Sequence, residues 1–260
     1  MHHLRLLLRY LQYRLRTVKL HGVHSPFVFD LYNHVILHDG TYAAYLPIEL
    51  RRDELLRNER SITVTDFGAG SKVSTSWNRQ IKDIASNAAK PAPYAQLLFR
   101  LVNEFQPEVV LELGTSFGLT TAYLAAAQKN STVYTFEGCP ATAKIASDTF
   151  RKIELKNVVQ VAGNLDTTLP ETLQNLPKVD FVYFDGNHRY EPTLRYFKQC
   201  LEKAHENSVF VLDDIYWSAE MERAWKEISA MPEVSVALDL FQIGIVFFRK
   251  KQEKEYFTLK

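Results

Sequence analysis

The residues Val-Val-Leu-Glu-Leu-Gly-Thr-Ser-Phe-Gly at positions 109–118 decide the fold of this 260-residue chain. The run ahead of Gly114 is short and mostly apolar, which is typical of a buried strand that ends in a turn. The residues that follow, 119–128, are rich in Ala and Leu and predict a helix. A strand, a glycine turn and a helix in this order indicate an α/β sheet.

Helices and strands alternate along the rest of the C-terminal part. An apolar stripe with helical spacing covers 97–105 and ends before Pro107. The last two strands, 234–238 and 243–248, predict a hairpin. The pattern predicts a Rossmann-like, mostly parallel sheet with helices on both faces and an antiparallel edge strand from the hairpin. The remaining predicted strands are 132–136, 158–162, 179–184 and 209–212, and the remaining helices are 141–152, 169–176, 193–203 and 219–229.

Residues 1–90 follow a different pattern and predict an N-terminal helical or irregular cap, which leaves 91–260 as the core domain. Leucines recur at helical spacing among basic residues in the first 16 positions, which predicts a basic amphipathic helix. We expect this helix to dock on its own domain with its basic face in solvent, and contact with a membrane surface or a partner is the alternative.

The stretch 63–71 also looks like a strand followed by a glycine turn. No strand ending in an acidic residue follows it at the distance that a nucleoside site needs, so it is predicted to be a cap loop near the mouth of the active site.

Charge and composition narrow the function classes. The chain has 31 Lys and Arg against 30 Asp and Glu, a net charge of +1, which speaks against broad capture of nucleic acid. Cys139 and Cys200 are too few for a disulfide framework or a four-thiolate zinc site. No apolar run reaches the about 20 residues that a membrane helix needs, and the N-terminus does not resemble a signal peptide. These features predict a soluble, cytoplasmic protein.

The glycine turn and an acidic residue downstream suggest a nucleoside site. Gly114 and Gly118 allow the backbone to approach a ligand, and the following helix N-terminus offers free amide donors. Glu137 ends the next predicted strand, where a carboxylate can accept both ribose hydroxyls. Nicotinamide enzymes use a G-x-G-x-x-G turn, which this chain lacks. The carboxylate of Glu112 would repel a pyrophosphate but suits the ammonium and sulfonium of S-adenosylmethionine.

With these motifs the chain resembles the class I S-adenosylmethionine-dependent methyltransferases, above all the small-molecule O-methyltransferases that include catechol O-methyltransferase. The resemblance covers roughly residue 92 to the C-terminus and implies a seven-stranded sheet with a reversed last strand. Its motifs are 110–114, 134–137, 182–185 and 211–214. It implies that Glu112 and Gly114 face the methionine part of the cofactor, Glu137 the ribose and Asn164 the adenine. The full set of expected cofactor-binding residues is Glu112, Gly114, Thr115, Ser116, Gly118, Glu137, Asn164 and Asp185.

Acidic residues follow two further predicted strands. Asp185 ends one of them, and Asp213 and Asp214 end the next, so their carboxylates are expected to bind Mg²⁺ or another divalent cation near the methyl donor. Metal-dependent members of the resembled family place acids at the positions of Asp185 and Asp213, usually followed by Asn where this chain has Asp214. Helix capping or loop anchoring is the alternative role.

A histidine lies close to these acids in the sequence. His188 follows Asp185 by three residues and occupies the position where catechol-type relatives carry a catalytic lysine. A histidine can act as a general base near neutral pH, so His188 and Asp185 form the predicted catalytic pair, with packing as the alternative. Tyr190, Tyr216 and Trp217 are candidates either for the wall of an acceptor pocket or for the core.

The resulting hypothesis is O-methyl transfer from S-adenosylmethionine to the hydroxyl of a small-molecule acceptor. The acceptor would be held in line with the sulfonium methyl, with a metal polarising the hydroxyl and His188 taking the proton. A nicotinamide-dependent oxidoreductase and a non-catalytic nucleoside-binding module are the alternatives. A homodimer is compatible with the sequence.

Overall fold

The computed structural model describes residues 2–18, 22–65 and 77–260. The predicted glycine loop at 66–71 lies outside these residues. The chain forms two compact units, which are described separately below. We call Met1–Leu37 with Leu176–Lys260 the terminal unit and His38–Asn175 the central unit. The cap boundary between residues 90 and 91 stays a prediction.

Helices and strands alternate as expected from residue 92 onwards. A π-helical segment, Tyr32–Ile36, continues the second helix. The helices in the described part of the chain are α1 (His2–Arg16), α2 (Pro26–Leu31), α3 (Tyr45–Leu56), α4 (Ile81–Ala88), α5 (Ala92–Phe105), α6 (Leu119–Ala127), α7 (Pro140–Lys152), α8 (Leu165–Gln174), α9 (Tyr190–Leu201) and α10 (Ala219–Ala230). The strands there are β1 (Ser61–Thr63), β2 (Asn78–Gln80), β3 (Val109–Leu113), β4 (Thr132–Glu137), β5 (Val158–Ala162), β6 (Phe181–Phe184), β7 (Val209–Asp213), β8 (Val236–Asp239), β9 (Ile243–Phe247) and β10 (Glu255–Thr258).

The central unit contributes three parallel strands to the main sheet. β4 pairs with β3 on one side and with β5 on the other. Residues 110–113 of β3 are buried, as expected for a parallel strand that is covered on both faces. Because parallel strands point the same way, the residues that follow β3, β4 and β5 lie along one edge of the sheet. A separate antiparallel pair joins β1 and β2.

The terminal unit contributes five strands in the order β10-β8-β9-β7-β6. β6 and β7 are parallel, and β9 runs antiparallel to both β7 and β8, which confirms the predicted hairpin. The main sheet therefore has eight strands rather than seven. The additional strand, β10, pairs in parallel with β8, so it takes the edge position that we expected for the hairpin. Its four residues follow the charged stretch 250–254, which gave no strand pattern.

Two helices begin earlier than predicted, α9 at Tyr190 rather than at 193 and α8 by four residues. α8 starts at Leu165 rather than at 169 because the side chain of Asn164 accepts a hydrogen bond from the backbone N–H of Asp166 and caps the helix. Pro170 lies inside α8, where it has no backbone N–H to donate within the helix.

The predicted N-terminal helix is present as α1, but its basic residues are not all in solvent. Arg5 and Arg9 form ion pairs with Glu222 of α10 at 3.3 and 2.9 Å. Tyr13 is buried, and its hydroxyl donates to the carbonyl oxygen of Leu259. In contrast, Leu7, Leu8, Leu11 and Leu15 are exposed. The helix is thus docked within the terminal unit through two arginines and a tyrosine, which corrects the expected orientation of its basic face.

Every helix among the described residues is too short or too polar to span a bilayer.

Candidate active site

The turn after β3 has the backbone geometry that its two glycines suggested. Gly114 and Gly118 have φ angles of 114° and 77°, and Ser116 also has a positive φ of 49°. Gly118 is the N-cap of α6, so the free N–H groups of the first helical turn lie beside the loop. A Cβ atom on Gly118 would come within 2.5 Å of Cε1 of Phe150. Only glycine fits at this position without a shift of the neighbouring ring.

Glu112 is buried below the turn. Its side chain is fully inaccessible, and its Oε2 accepts hydrogen bonds from the hydroxyls of Thr121 and of Thr135, the latter at 2.6 Å. The Thr135 hydroxyl also contacts that of Thr115 at 2.5 Å. Glu112 therefore connects β3, β4 and the start of α6 and places a carboxylate beneath the glycine turn.

Glu137 ties the end of β4 to the same turn. Its Oε2 accepts from the N–H of Ser116 at 2.9 Å, and its Oε1 accepts from the N–H of Cys139 at 2.9 Å. Burial raises the pKa of Glu137, although hydrogen bonds from the backbone N–H groups of Cys139, Ser116 and Gly138 oppose that effect. Three of the roughly four lone-pair sites of the carboxylate are thus engaged, and a ribose hydroxyl could donate to the remaining one.

Asn164 lies at the neighbouring strand end. The N–H of Gly163 donates to the carbonyl oxygen of Glu137 at 3.0 Å, which brings the β4 and β5 ends together. The Asn164 side chain is exposed, and its Oδ1 accepts from the N–H of Asp166 at 3.0 Å. Oδ1 of Asn164 therefore already accepts a hydrogen bond from α8, so a contact with adenine would use the side-chain Nδ2 or the backbone groups of this residue.

In the terminal unit, Asp185 and His188 form a pair in the loop after β6. Nε2 of His188 lies 3.4 Å from Oδ1 of Asp185. Asn187, between them, has a φ of 53°, a conformation that costs energy for a non-glycine residue and recurs at functional sites. Burial lowers the pKa of His188, but the hydrogen bond that its ring donates to Asp185 and the charges of Asp185, Asp213 and Asp214 outweigh this effect and raise that pKa to about 9. His188 is therefore an imidazolium at neutral pH.

Asp213 and Asp214 follow β7 in the same unit. Asp213 is 3% exposed, and Asp214 has a φ of 51°. Both carboxylates act electrostatically on His188, so the structure brings the predicted acids and the histidine into one neighbourhood. Among the described residues, however, no three His, Cys, Asp or Glu side chains are arranged to hold a metal ion. Asp185, Asp213 and Asp214, the ligands expected from the sequence, are thus not arranged to hold Mg²⁺.

The aromatic candidates have structural contacts within the terminal unit. The Tyr216 hydroxyl donates to Oδ2 of Asp239 at 2.6 Å, and the ring stacks on Phe241 with centroids 5.3 Å apart. The Tyr190 hydroxyl donates to Glu227. Trp217 is half-buried, and its backbone N–H donates to the carbonyl oxygen of Asp214 at 2.8 Å. Tyr216 and Tyr190 therefore anchor their own loops.

Three residues of this site were not singled out from the sequence. Thr121 in α6 and Thr135 in β4 hold Glu112, and a hydroxyl at a buried position of an otherwise apolar helix or strand is the signal that could have indicated them. The third is Asn187, whose Nδ2 donates to the Tyr196 hydroxyl at 3.3 Å. Asn is one of the few residues that tolerate a left-handed turn.

The comparisons with known proteins agree with this geometry. Residues 111–215 match the model of a family described as a methyltransferase domain. That span runs from within β3 to just after β7 and includes the glycine turn, Glu137, Asp185 and His188. This match, over 105 of the 260 residues, confirms the resemblance of that stretch to the methyltransferases.

Solved structures with the same fold include O-methyltransferases. An O-methyltransferase from Bacillus cereus, in complex with S-adenosylhomocysteine, is 18% identical with a TM-score of 0.56, covering 85% of this chain and 97% of its own. The O-methyltransferase TomG from Streptomyces achromogenes, in complex with S-adenosylmethionine, is 19% identical with a TM-score of 0.57, covering 85% and 96%. A methyltransferase from Podospora anserina bound to S-adenosylhomocysteine is 12% identical with a TM-score of 0.60, covering 88% and 98%. A comparison with curated protein sequences finds no match.

Proposed function

We propose that this protein transfers the methyl group of S-adenosylmethionine to a hydroxyl of a small-molecule acceptor. The observation that carries the proposal is the hydrogen bond from the Ser116 N–H to Glu137, because it joins the glycine turn to the acidic strand end at one edge of the sheet. The neighbouring structures named as O-methyltransferases support oxygen as the accepting atom.

The residues of the central unit fit the chemical groups of this cofactor. The N-terminus of α6 suits the methionine carboxylate, since free N–H groups and the helix dipole favour an anion. The buried carboxylate of Glu112 lies beneath the turn and favours the ammonium and sulfonium. Glu137 keeps a lone-pair site for a ribose hydroxyl. The conformations at Gly114, Ser116 and Gly118 keep the backbone open on the ligand side.

The pair in the terminal unit supplies the proton acceptor. In the deprotonated form of His188, Nε2–H can donate to Asp185, which leaves the Nδ1 lone pair to accept the proton from the acceptor hydroxyl. Asp185 acts as the positioning residue because it fixes the tautomer and the orientation of the ring. The high pKa makes His188 a strong base that is mostly protonated at pH 7.

We propose separately that Asp185, Asp213 and Asp214 bind a metal ion, which the proton transfer to His188 does not require. The three carboxylates are the oxygen ligands that Mg²⁺ prefers, but their present arrangement does not hold one. Turnover with and without a chelator, followed by addition of Mg²⁺, distinguishes a required ion from none.

Binding of the cofactor product tests the proposed function first. S-Adenosylhomocysteine at roughly 1 mM is expected to raise the melting temperature by several degrees, because a ligand that binds only the folded state stabilises it. NADH at the same concentration is expected to give no shift. If neither S-adenosylhomocysteine nor S-adenosylmethionine shifts the melting curve, the proposal fails. A shift with NADH alone would favour the oxidoreductase.

Turnover as a function of pH tests His188. The rate of S-adenosylhomocysteine formation with a panel of phenols and alcohols is expected to rise about tenfold per pH unit from pH 7 and to level off above about 9, because only the neutral imidazole accepts a proton. His188→Gln should lower the rate by about 100-fold or more and remove this pH dependence, with little change in cofactor affinity. His34→Gln, an exposed histidine of the same unit, is the matched control. An unchanged rate profile in His188→Gln would rule out its role as base.

A further inference from the structure

A second concave site lies in the central unit, away from the residues proposed to bind the cofactor. It is a groove of about 720 Å³ formed by α3, β1, the start of α4 and one face of α7. Its volume falls within the roughly 300–1,000 Å³ range of small-molecule sites. Glu112, the glycine turn, Glu137 and Asn164 do not line it. The proposed methyl transfer therefore gives this groove no role.

Positive charge dominates the lining of the groove. Among the residues that the structure describes, five cationic side chains line it, and Asp148 is the single lining carboxylate. The cations are Arg51, Arg60, Lys144, Arg151 and Lys152. Such an excess of one sign at a concave surface concentrates ligands of the opposite charge.

Part of this charge is neutralised by two carboxylates. Arg51 is buried and pairs with Asp148 at 2.9 Å and with Glu54 at 2.7 Å. Asp148 also contacts Arg151 at 2.5 Å, and Glu54 contacts Lys152. Two carboxylates are thus shared among three cations, which leaves one positive charge in excess in this network.

The other two cations of the groove add to that excess. The guanidinium of Arg60 contacts the side-chain oxygen of Asn58 at 3.3 Å, which is a neutral partner. Lys144 projects from an exposed position of α7 and has no ion pair with any residue that the structure describes. The groove therefore carries a net charge close to +3 and keeps donors that are available to an anion.

The floor of the groove is apolar. Leu55 and Ile81 are each 1% exposed, and Ile62 and Ile145 are half-buried beside them. A free inorganic anion would leave this surface in water, whereas a ligand with an apolar or aromatic body would cover it.

We propose that the groove binds a phosphorylated small molecule with an apolar or aromatic body, the phosphate facing Lys144 and Arg60 and the body lying on the isoleucines. A phosphate monoester carries close to two negative charges at pH 7 and several acceptor oxygens, which matches two unpaired cations beside a third, shared one.

The probe for this site is 1-naphthyl phosphate, which combines an aromatic body with a phosphate and is fluorescent. Saturable binding is expected, and it should weaken as NaCl is raised because the phosphate contacts are screened. 1-Naphthol lacks the phosphate and inorganic phosphate lacks the body, so each should bind at least about tenfold more weakly. Similar affinity of 1-naphthol and 1-naphthyl phosphate would overturn the proposal, since the cations would then contribute nothing.

Variants locate the binding. Lys144→Glu combined with Arg60→Glu should weaken binding of 1-naphthyl phosphate by about tenfold or more, while Lys129→Glu, an exposed lysine outside the groove, should leave it unchanged. Saturating S-adenosylhomocysteine should not displace the probe. Displacement by S-adenosylhomocysteine, equal loss in both variants, or no saturable binding up to roughly millimolar probe would each contradict the assignment. Melting curves of the variants confirm that they remain folded.

Discussion

Gly118→Ala is expected to abolish measurable S-adenosylhomocysteine binding and to lower the free energy of unfolding by about 2–4 kcal/mol. The added Cβ would lie 2.5 Å from Cε1 and 2.8 Å from Cζ of Phe150, so either the ring or the turn must move. The φ of 77° adds a backbone cost that L-residues other than glycine rarely bear. Calorimetric titration and urea unfolding measure the two effects.

A pair of variants separates steric from backbone effects at Gly118. In the double variant Gly118→Ala with Phe150→Leu, the ring no longer blocks the methyl group. The double variant should therefore lose less stability relative to Phe150→Leu than Gly118→Ala loses relative to the wild type. Its cofactor affinity should stay low because the turn remains strained. Gly40→Ala is the matched control, since its Cβ would meet only the exposed and movable ring of His38. Wild-type affinity in Gly118→Ala would show that the turn does not bind the cofactor.

Glu137→Ala is expected to weaken S-adenosylhomocysteine binding by about 100-fold. The variant removes the acceptor for ribose hydroxyls and also releases the N–H groups of Ser116 and Cys139. A hydrogen bond to a charged group contributes about 1.5–3 kcal/mol, and one near the upper end of this range corresponds to that factor. Isothermal titration calorimetry with S-adenosylhomocysteine gives the dissociation constant directly.

Conservative replacements define what Glu137 contributes. Glu137→Gln keeps one oxygen acceptor and loses the charge, so its affinity should fall between that of the wild type and Glu137→Ala. Glu104→Gln removes an exposed carboxylate from α5 in the same unit and should bind like the wild type. An affinity of Glu137→Ala within about threefold of the wild type would mean that this carboxylate only shapes the loop.

The core of the fold was predictable because its signals are local. β3 and the turn after it combine an apolar run with a glycine, and β5 was predicted at its observed limits, 158–162. β10 could not be predicted in the same way, since its four residues pair in parallel with β8 only because β8 leaves an open edge. Strand pairing of this kind depends on partners that are distant in sequence.

The chemistry of the site was less predictable than its position. The spacing of Asp185 and His188 placed them in one loop, but the pKa of His188 depends on Asp213 and Asp214 from another strand. Asp213 and Asp214 were expected to form a metal site with Asp185, and adjacency in the sheet did not bring the three into a ligand geometry. The hydroxyl of Tyr216 is held by Asp239, a contact that no local pattern indicates.

The way the first helix is anchored has a consequence for synthesis on the ribosome. Tyr13 bonds to the carbonyl of Leu259, 246 positions later, and Tyr32 bonds to that of Lys260, 228 positions later. The backbone N–H of Val18 also bonds to this C-terminal segment, donating to the carbonyl oxygen of Thr258 at 2.8 Å. A nascent chain therefore emerges with α1 unable to make these contacts until residues 258–260 have been synthesised. Throughout that interval its leucines are open to chaperones and to other chains.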